Sequence, residues 1–104
     1  WSCHGNSRKS RKAQHGYEVV DTRTGKVAKT GVSGGRIKKN GKSARAEKQV
    51  RDWNAEPGNT GRYESRVIKK VPAGPGARWK IERWEQRNAN RRRQELDPAR
   101  HSRP

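Results

Sequence analysis

Seven Val, three Ile and one Leu are the only branched aliphatic residues in this chain, which has neither Phe nor Met. Burial of apolar surface is the main force that compacts a chain, so this scarcity restricts the fold to a small one with a thin core. Apolar residues make up 26% of the sequence, against roughly 45–50% in ordinary globular chains. By that measure the chain falls among disordered ones. Four Trp and two Tyr act in the opposite direction, because each ring can bury as much surface as two small aliphatics. For 104 residues the expectation is one marginal domain that a tight partner stabilises.

Charge fills the place of the missing apolar residues. There are 27 Lys and Arg against 10 Asp and Glu, a formal charge of +17 at pH 7. Such a field repels itself and draws in polyanions. Nucleic acid is the expected partner, since its backbone carries a phosphate at every step. An anionic membrane fits less well, as no apolar run approaches a spanning length. An acidic protein is a second expected partner, because it would cancel the self-repulsion of a chain otherwise expected to be monomeric. The lone Cys3 leaves no internal disulfide and no Cys-rich zinc site. With Trp1 in first place and no signal peptide readable, the expectation is a piece excised from a longer polypeptide.

Periodicity divides the chain into an arm and five elements. Residues 1–14, WSCHGNSRKSRKAQ, have no repeat and read as a flexible basic arm, leaving 15–104 as one domain. YEVVD (17–21) and KVAKTGV (26–32) are β-like runs around TRTG, a hairpin turn with Gly25 where positive φ is needed. SARAEKQVRDWN (43–54) opens on an N-cap Ser43 and sets Ala46, Val50 and Trp53 on one helical face. RYESRVIKKV (62–71) alternates as a third strand, with Tyr63, Val67 and Val71 on one side. ARWKIERWEQRNANRRR (77–93) is a second helix with Ala77, Ile81 and Trp84 inward and Arg91–Arg93 at its negative end. A polar, irregular tail follows. The order ββαβα predicts an α+β fold, a small antiparallel sheet with both helices packed on one face.

The segment GVSGGRIKKNGKS (31–43) has the composition of a nucleotide-binding loop. A P-loop needs four residues between its first glycine and Gly-Lys-Ser, so that successive N–H groups wrap one phosphate. Here five residues separate Gly35 from Gly41. The spacing excludes a triphosphate site and leaves a flexible, basic loop, in which Arg36, Lys38, Lys39 and Lys42 are candidate phosphate contacts. Arg78 joins them from the second helix. Among the rings, Trp53 and Trp84 read as packing, whereas Trp79 lies off the apolar stripe and is a candidate for stacking on a base.

On that helix Arg78, Glu82 and Glu85 line one face. A carboxylate projecting into a basic cleft suits a divalent metal, and an Arg78–Glu82 helix pair is the structural alternative. Of His4, His15 and His101, only His15 adjoins a predicted strand and is a candidate acid or base.

The stretch YEVVDTRTGKVAKTGVSGG, followed by ARAEKQV and a later Glu-bearing helix, resembles the plan of GIY-YIG-type nucleases over roughly residues 16–88. The resemblance sets Gly16–Tyr17 at the family's first motif and Lys29–Gly31 at the second, with Lys29 in place of the second tyrosine. It implies Arg45 as the helix arginine and Glu85, or Glu82, as the ligand of one divalent ion such as Mg²⁺. The whole chain also resembles the C-terminal toxin modules of bacterial polymorphic toxins of the Rhs and contact-dependent inhibition types. That implies delivery into the cytoplasm of a target bacterium and neutralisation by an acidic immunity protein.

Two alternatives accompany this reading. In a metal-independent toxin ribonuclease His15 and Lys29 would act on a 2′-hydroxyl attack, with Thr30 or Ser33 bonding the phosphate. A non-enzymatic basic nucleic-acid-binding protein, of the ribosomal or chromatin kind, fits the composition equally well.

Overall fold

The computed structural model describes residues 12–96. Residues 1–11 of the arm expected over 1–14, with Cys3 and His4, and the end of the tail with His101 lie outside the described residues. β1 (Gln14–Asp21) is the central strand, paired antiparallel with β2 (Lys26–Ser33) on one side and β3 (Tyr63–Val71) on the other. α1 (Ala44–Asn54) joins β2 to β3, and α2 (Ala77–Arg91) follows β3. This is the expected α+β fold with its ββαβα order. Gly25 turns the hairpin at φ 74°, and Ser43 caps α1 by accepting the Ala46 N–H. No helix among the described residues is long and apolar enough to cross a membrane.

The expectation of a single helical face does not hold, and the central strand explains why. Successive side chains of a strand point to opposite faces. Tyr17 and Val19 pack on the α1 side with Ala28, Ala46, Val50 and Tyr63, against which Trp53 leans. Gln14 bonds Arg78, Gly16 lies under the Trp84 ring, and Glu18 bonds Asn88 and Arg92, all on the α2 side. There Val32, Val71, Ala77 and Ile81 form a second apolar cluster. Two small cores, one per face, replace the single core that alternation predicts. β1 is accordingly buried along nearly its whole length.

The ends of the elements also shift for physical reasons. β1 begins at Gln14 rather than Tyr17, because Gln14, His15 and Gly16 all pair with β3. α2 stops short of Arg93, because Arg92 turns aside to donate to Glu18 and Glu95. Glu95, expected in an irregular tail, accepts the Val27 N–H at 3.1 Å and ties the tail to β2. A bulge between Val19 and Val20 sets Ala28 as an extra residue on β2, and both Val27 and Ala28 are buried. Bulges of this kind increase the local twist of the ladder.

The α2 face is fastened through a buried charge. The Glu18 side chain is fully buried. It accepts hydrogen bonds from Arg66 at 3.0 and 2.8 Å, Asn88 at 2.9 Å and Arg92 at 3.0 Å. Burial alone would raise its pKa. The hydrogen bonds from Asn88, Arg66 and Arg92 outweigh that and hold the carboxyl below its usual range.

Candidate active site at the edge of the sheet

β2 is an edge strand, and Gly31 leaves it bare where it pairs with Tyr17. The Tyr17 ring lies across that glycine. A Cβ at residue 31 would stand 2.5 Å from both Cζ and Oη of Tyr17, so a larger residue would displace the ring. Crossing β2 in this way carries the phenol from the middle of the sheet toward its edge. There Oη donates to Gln49 Oε1 at 3.2 Å, and the charged Arg45 side chain acts on the same phenol. Arg45 and Gln49 are one turn apart on α1 and therefore share a face.

Lys29 pairs with Val19 on the same side of β2, its Nζ 5.9 Å from the Trp53 ring centroid. Glu85 comes from α2, beyond the sheet, yet its charge acts on both Tyr17 and Lys29. Four elements thus bring Tyr17, Lys29, Arg45 and Glu85 to one edge.

The environment tunes these groups. Burial pushes the Tyr17 phenol above its ordinary pKa, with Arg45 and Gln49 pulling the other way. At neutral pH it is therefore a protonated donor. Burial also holds Lys29 below its ordinary range; the Arg45 charge adds to that and the Glu85 charge opposes it. Two cations beside one carboxylate leave the edge electropositive.

The remaining expected site residues divide clearly. His15 is 2% exposed, and its Nε2 shares a 2.7 Å hydrogen bond with Ser43 Oγ, the cap of α1. Burial first, then the charge of Lys70, lowers its pKa, so the imidazole is neutral in the fold. Ser33 pairs with His15 and accepts the Gly35 N–H at 2.9 Å. Lys29 lies four residues back along β2, about 13 Å at strand rise. Thr30 is buried and points to the other face, opposite Glu18. Of the metal-independent arrangement, His15 and Ser33 pair across the ladder with the His15 ring 6.3 Å from that of Tyr17, while Thr30 lies on the opposite face.

Glu82 pairs with Arg78 at 3.6 Å, so of the two glutamates Glu85 is the one at the Tyr17 edge. Arg78, expected to contact phosphate, is instead buried and donates to Gln14 Oε1 at 3.3 Å. Lys42 is also turned inward, donating through Nζ to the Ser65 carbonyl. Arg36, Lys38 and Lys39 border one shallow hollow with Ile37 and Asn40. Their loop carries backbone hydrogen bonds of its own. The Lys38 N–H donates to the Lys42 carbonyl at 2.8 Å, the Gly41 N–H to the Lys38 carbonyl at 2.9 Å, and the Ala44 N–H to the Arg36 carbonyl at 3.0 Å. N–H groups spent in this way cannot wrap a phosphate.

Sequence reasoning missed Gln49, although its i, i+4 relation to Arg45 was the available signal. As to a metal, no three His, Cys, Asp or Glu cluster among the described residues. A magnesium-type ion needs less than such a cage, since one or two carboxylates, water and substrate phosphate complete its shell. Glu85, whose charge reaches the Tyr17 phenol and Lys29, fits that smaller demand. In comparison with known proteins, no protein family, no curated sequence and no solved structure matches this chain.

Proposed function

We propose that the protein is a nuclease that hydrolyses phosphodiester bonds at the Tyr17 edge. The observation that carries this reading is the convergence of Tyr17, Lys29, Arg45 and Glu85 from four separate elements in a chain of charge +17. Arg45 steadies the scissile phosphate, and its charge counts most where negative charge builds in the transition state. Lys29 adds a second positive charge there. The protonated Tyr17 phenol, fixed by Gln49, orients the attacking water. Glu85 would hold one divalent cation, which supplies Lewis-acid polarisation of a phosphoryl oxygen when bound. In the wider proposal the chain is the toxin module of a delivered bacterial effector, and an acidic immunity protein covers the electropositive edge until release.

The full chain incubated with duplex DNA, single-stranded DNA and RNA, in magnesium and in a chelator, tests this. Cleavage in magnesium should be lost in the chelator and in Glu85→Gln. Undiminished cleavage in the chelator and in Glu85→Gln would reject the metal-dependent mechanism. A wild-type chain that binds all three substrates and cuts none would make it a binding protein.

A further inference from the structure

α2 has a second working side. Arg83 and Glu85 are two residues apart, about 160° around a helix, so the side bearing Arg83 faces away from the Tyr17 edge. Between it and the end of β3 runs a groove of about 370 Å³. Lys69, Lys70, Lys80, Arg83 and Arg87 line it, and among the described residues no carboxylate does. Val71 and Trp84, from the apolar cluster beneath, complete the lining with Pro72 and Trp79.

Trp79 is the informative member. It is 50% exposed, in a chain that has few large apolar residues to leave in water. The Arg83 guanidinium stands 4.7 Å from its ring centroid and so braces the indole by a cation–π contact. Five cations without an acid suit a phosphate chain. An exposed indole adds at most one N–H donor to a phosphate contact but offers a face on which a base can stack. A duplex keeps its base faces inside the stack, so the combination selects a single strand.

We infer that this groove binds single-stranded nucleic acid, with a base stacked on Trp79 and phosphates held by Lys69, Lys80, Arg83 and Arg87. The groove lies across α2 from Glu85, and the inference stands whether or not the Tyr17 edge cleaves.

Binding of a fluorescent oligo(dT), an oligo(rU), a duplex of equal length and inorganic polyphosphate is measured in chelator on the Glu85→Gln chain, so that nothing is cut. Adding Trp79→Ala should weaken both single strands about tenfold, the usual loss for one stacked base, and leave duplex and polyphosphate within about twofold. Trp79→Tyr should restore most of the single-strand affinity. Unchanged single-strand affinity in Trp79→Ala, or an equal loss for all four ligands, would overturn the inference. So would a groove that binds no nucleic acid and is protected only by an acidic protein. Trp79→Ala removes a half-exposed ring, and a retained thermal transition checks its fold.

Discussion

Charges on the two sides of the sheet are arranged in opposite ways. On the α2 face the buried carboxylate Glu18 is met by Arg66, Arg92 and an amide, and Arg92 also pairs with Glu95, so two arginines face two carboxylates and nearly every hydrogen-bonding position of Glu18 is filled from within. On the α1 side, at the β2 edge, Lys29 and Arg45 stand near each other with Glu85 as the nearby anion, and the Arg45 charge works against that of Lys29. A matched cluster lowers the energy of the folded chain. One with cations in excess stays costly until an anion arrives, which is the usual condition of a site that binds or transforms a phosphate. The comparison teaches that in this acid-poor chain the setting of a carboxylate, buried and fully bonded or placed beside surplus base, separates a structural acid from the one on which the proposed chemistry rests.

The sharpest way to break the comparison is to remove the matched charge. Breaking a buried ion pair from one side costs about 3–5 kcal/mol. Glu18→Gln should fall near the lower end, because the Arg66 side chain is 48% exposed and can turn to water. Urea unfolding measures the loss. Arg45→Ala should move the same midpoint by less than about 1 kcal/mol, as exposed charges contribute little. Equal losses in the two variants would erase the distinction between the faces.

Activity should respond in reverse. Arg45→Ala removes charge stabilisation from the transition state and should lower kcat about 100-fold, with a smaller change in KM. A rise in KM alone would mean that Arg45 only binds substrate. Glu18→Gln, assayed where it is still folded, should keep most of the wild-type rate.

The glycines extend the contrast with a smaller effect. Gly16 and Gly31 each lie beneath an aromatic ring, Trp84 on one face and Tyr17 on the other. A Cβ would come within 2.0 Å of Trp84 Cζ3 or 2.5 Å of Tyr17 Oη. Overpacking costs about 1–3 kcal/mol. In Gly16→Ala the loss should appear as stability, since Trp84 belongs to the α2 cluster. In Gly31→Ala it should appear mainly as turnover, because the displaced ring ends in the phenol. The reverse assignment would show that Tyr17 is a core residue and nothing more.

Much of the fold was legible because the elements are short and strongly patterned. The serine cap, the Ala46–Val50–Trp53 stripe and the hairpin glycine are local signals, and the structure follows them. The two-faced sheet was not legible. YEVVD reads only as a β-like run, since no local pattern separates a buried, fully bonded Glu from a solvated one. The partners Arg66, Asn88 and Arg92 lie 48, 70 and 74 residues away. Separations of 23 and 64 residues likewise hid the fates of Lys42 and Arg78, which are candidate phosphate contacts in sequence and instead donate to Ser65 and Gln14. The grouping of Tyr17, Lys29, Arg45 and Glu85 came from the order of family motifs. Periodicity alone put Glu82 and Glu85 on equal terms, and only packing separates them.

The smallest expected effect concerns pH and the link between the two sides of the sheet. His15 is buried against Ser43, and burial together with Lys70 lowers its pKa below the ordinary 6.5. As pH falls through that value the unfolded chain takes up a proton that the folded chain refuses. The unfolded state then binds more protons, so stability falls until the lowered folded pKa is reached, and there it levels off. Glu18 acts lower on the scale. Its folded carboxyl is held below the ordinary 4.5, so its contribution is complete above that value and is lost as pH falls through the folded pKa. Urea midpoints followed from pH 8 down to pH 3.5 should therefore decline in two steps. His15→Gln can still bond Ser43 through its amide and should cost about 1 kcal/mol. It should remove the upper step and keep the lower one. The variant retains His4 and His101, so an upper step that persists unchanged would belong to them and would free His15 from the role of pH-sensitive support for α1.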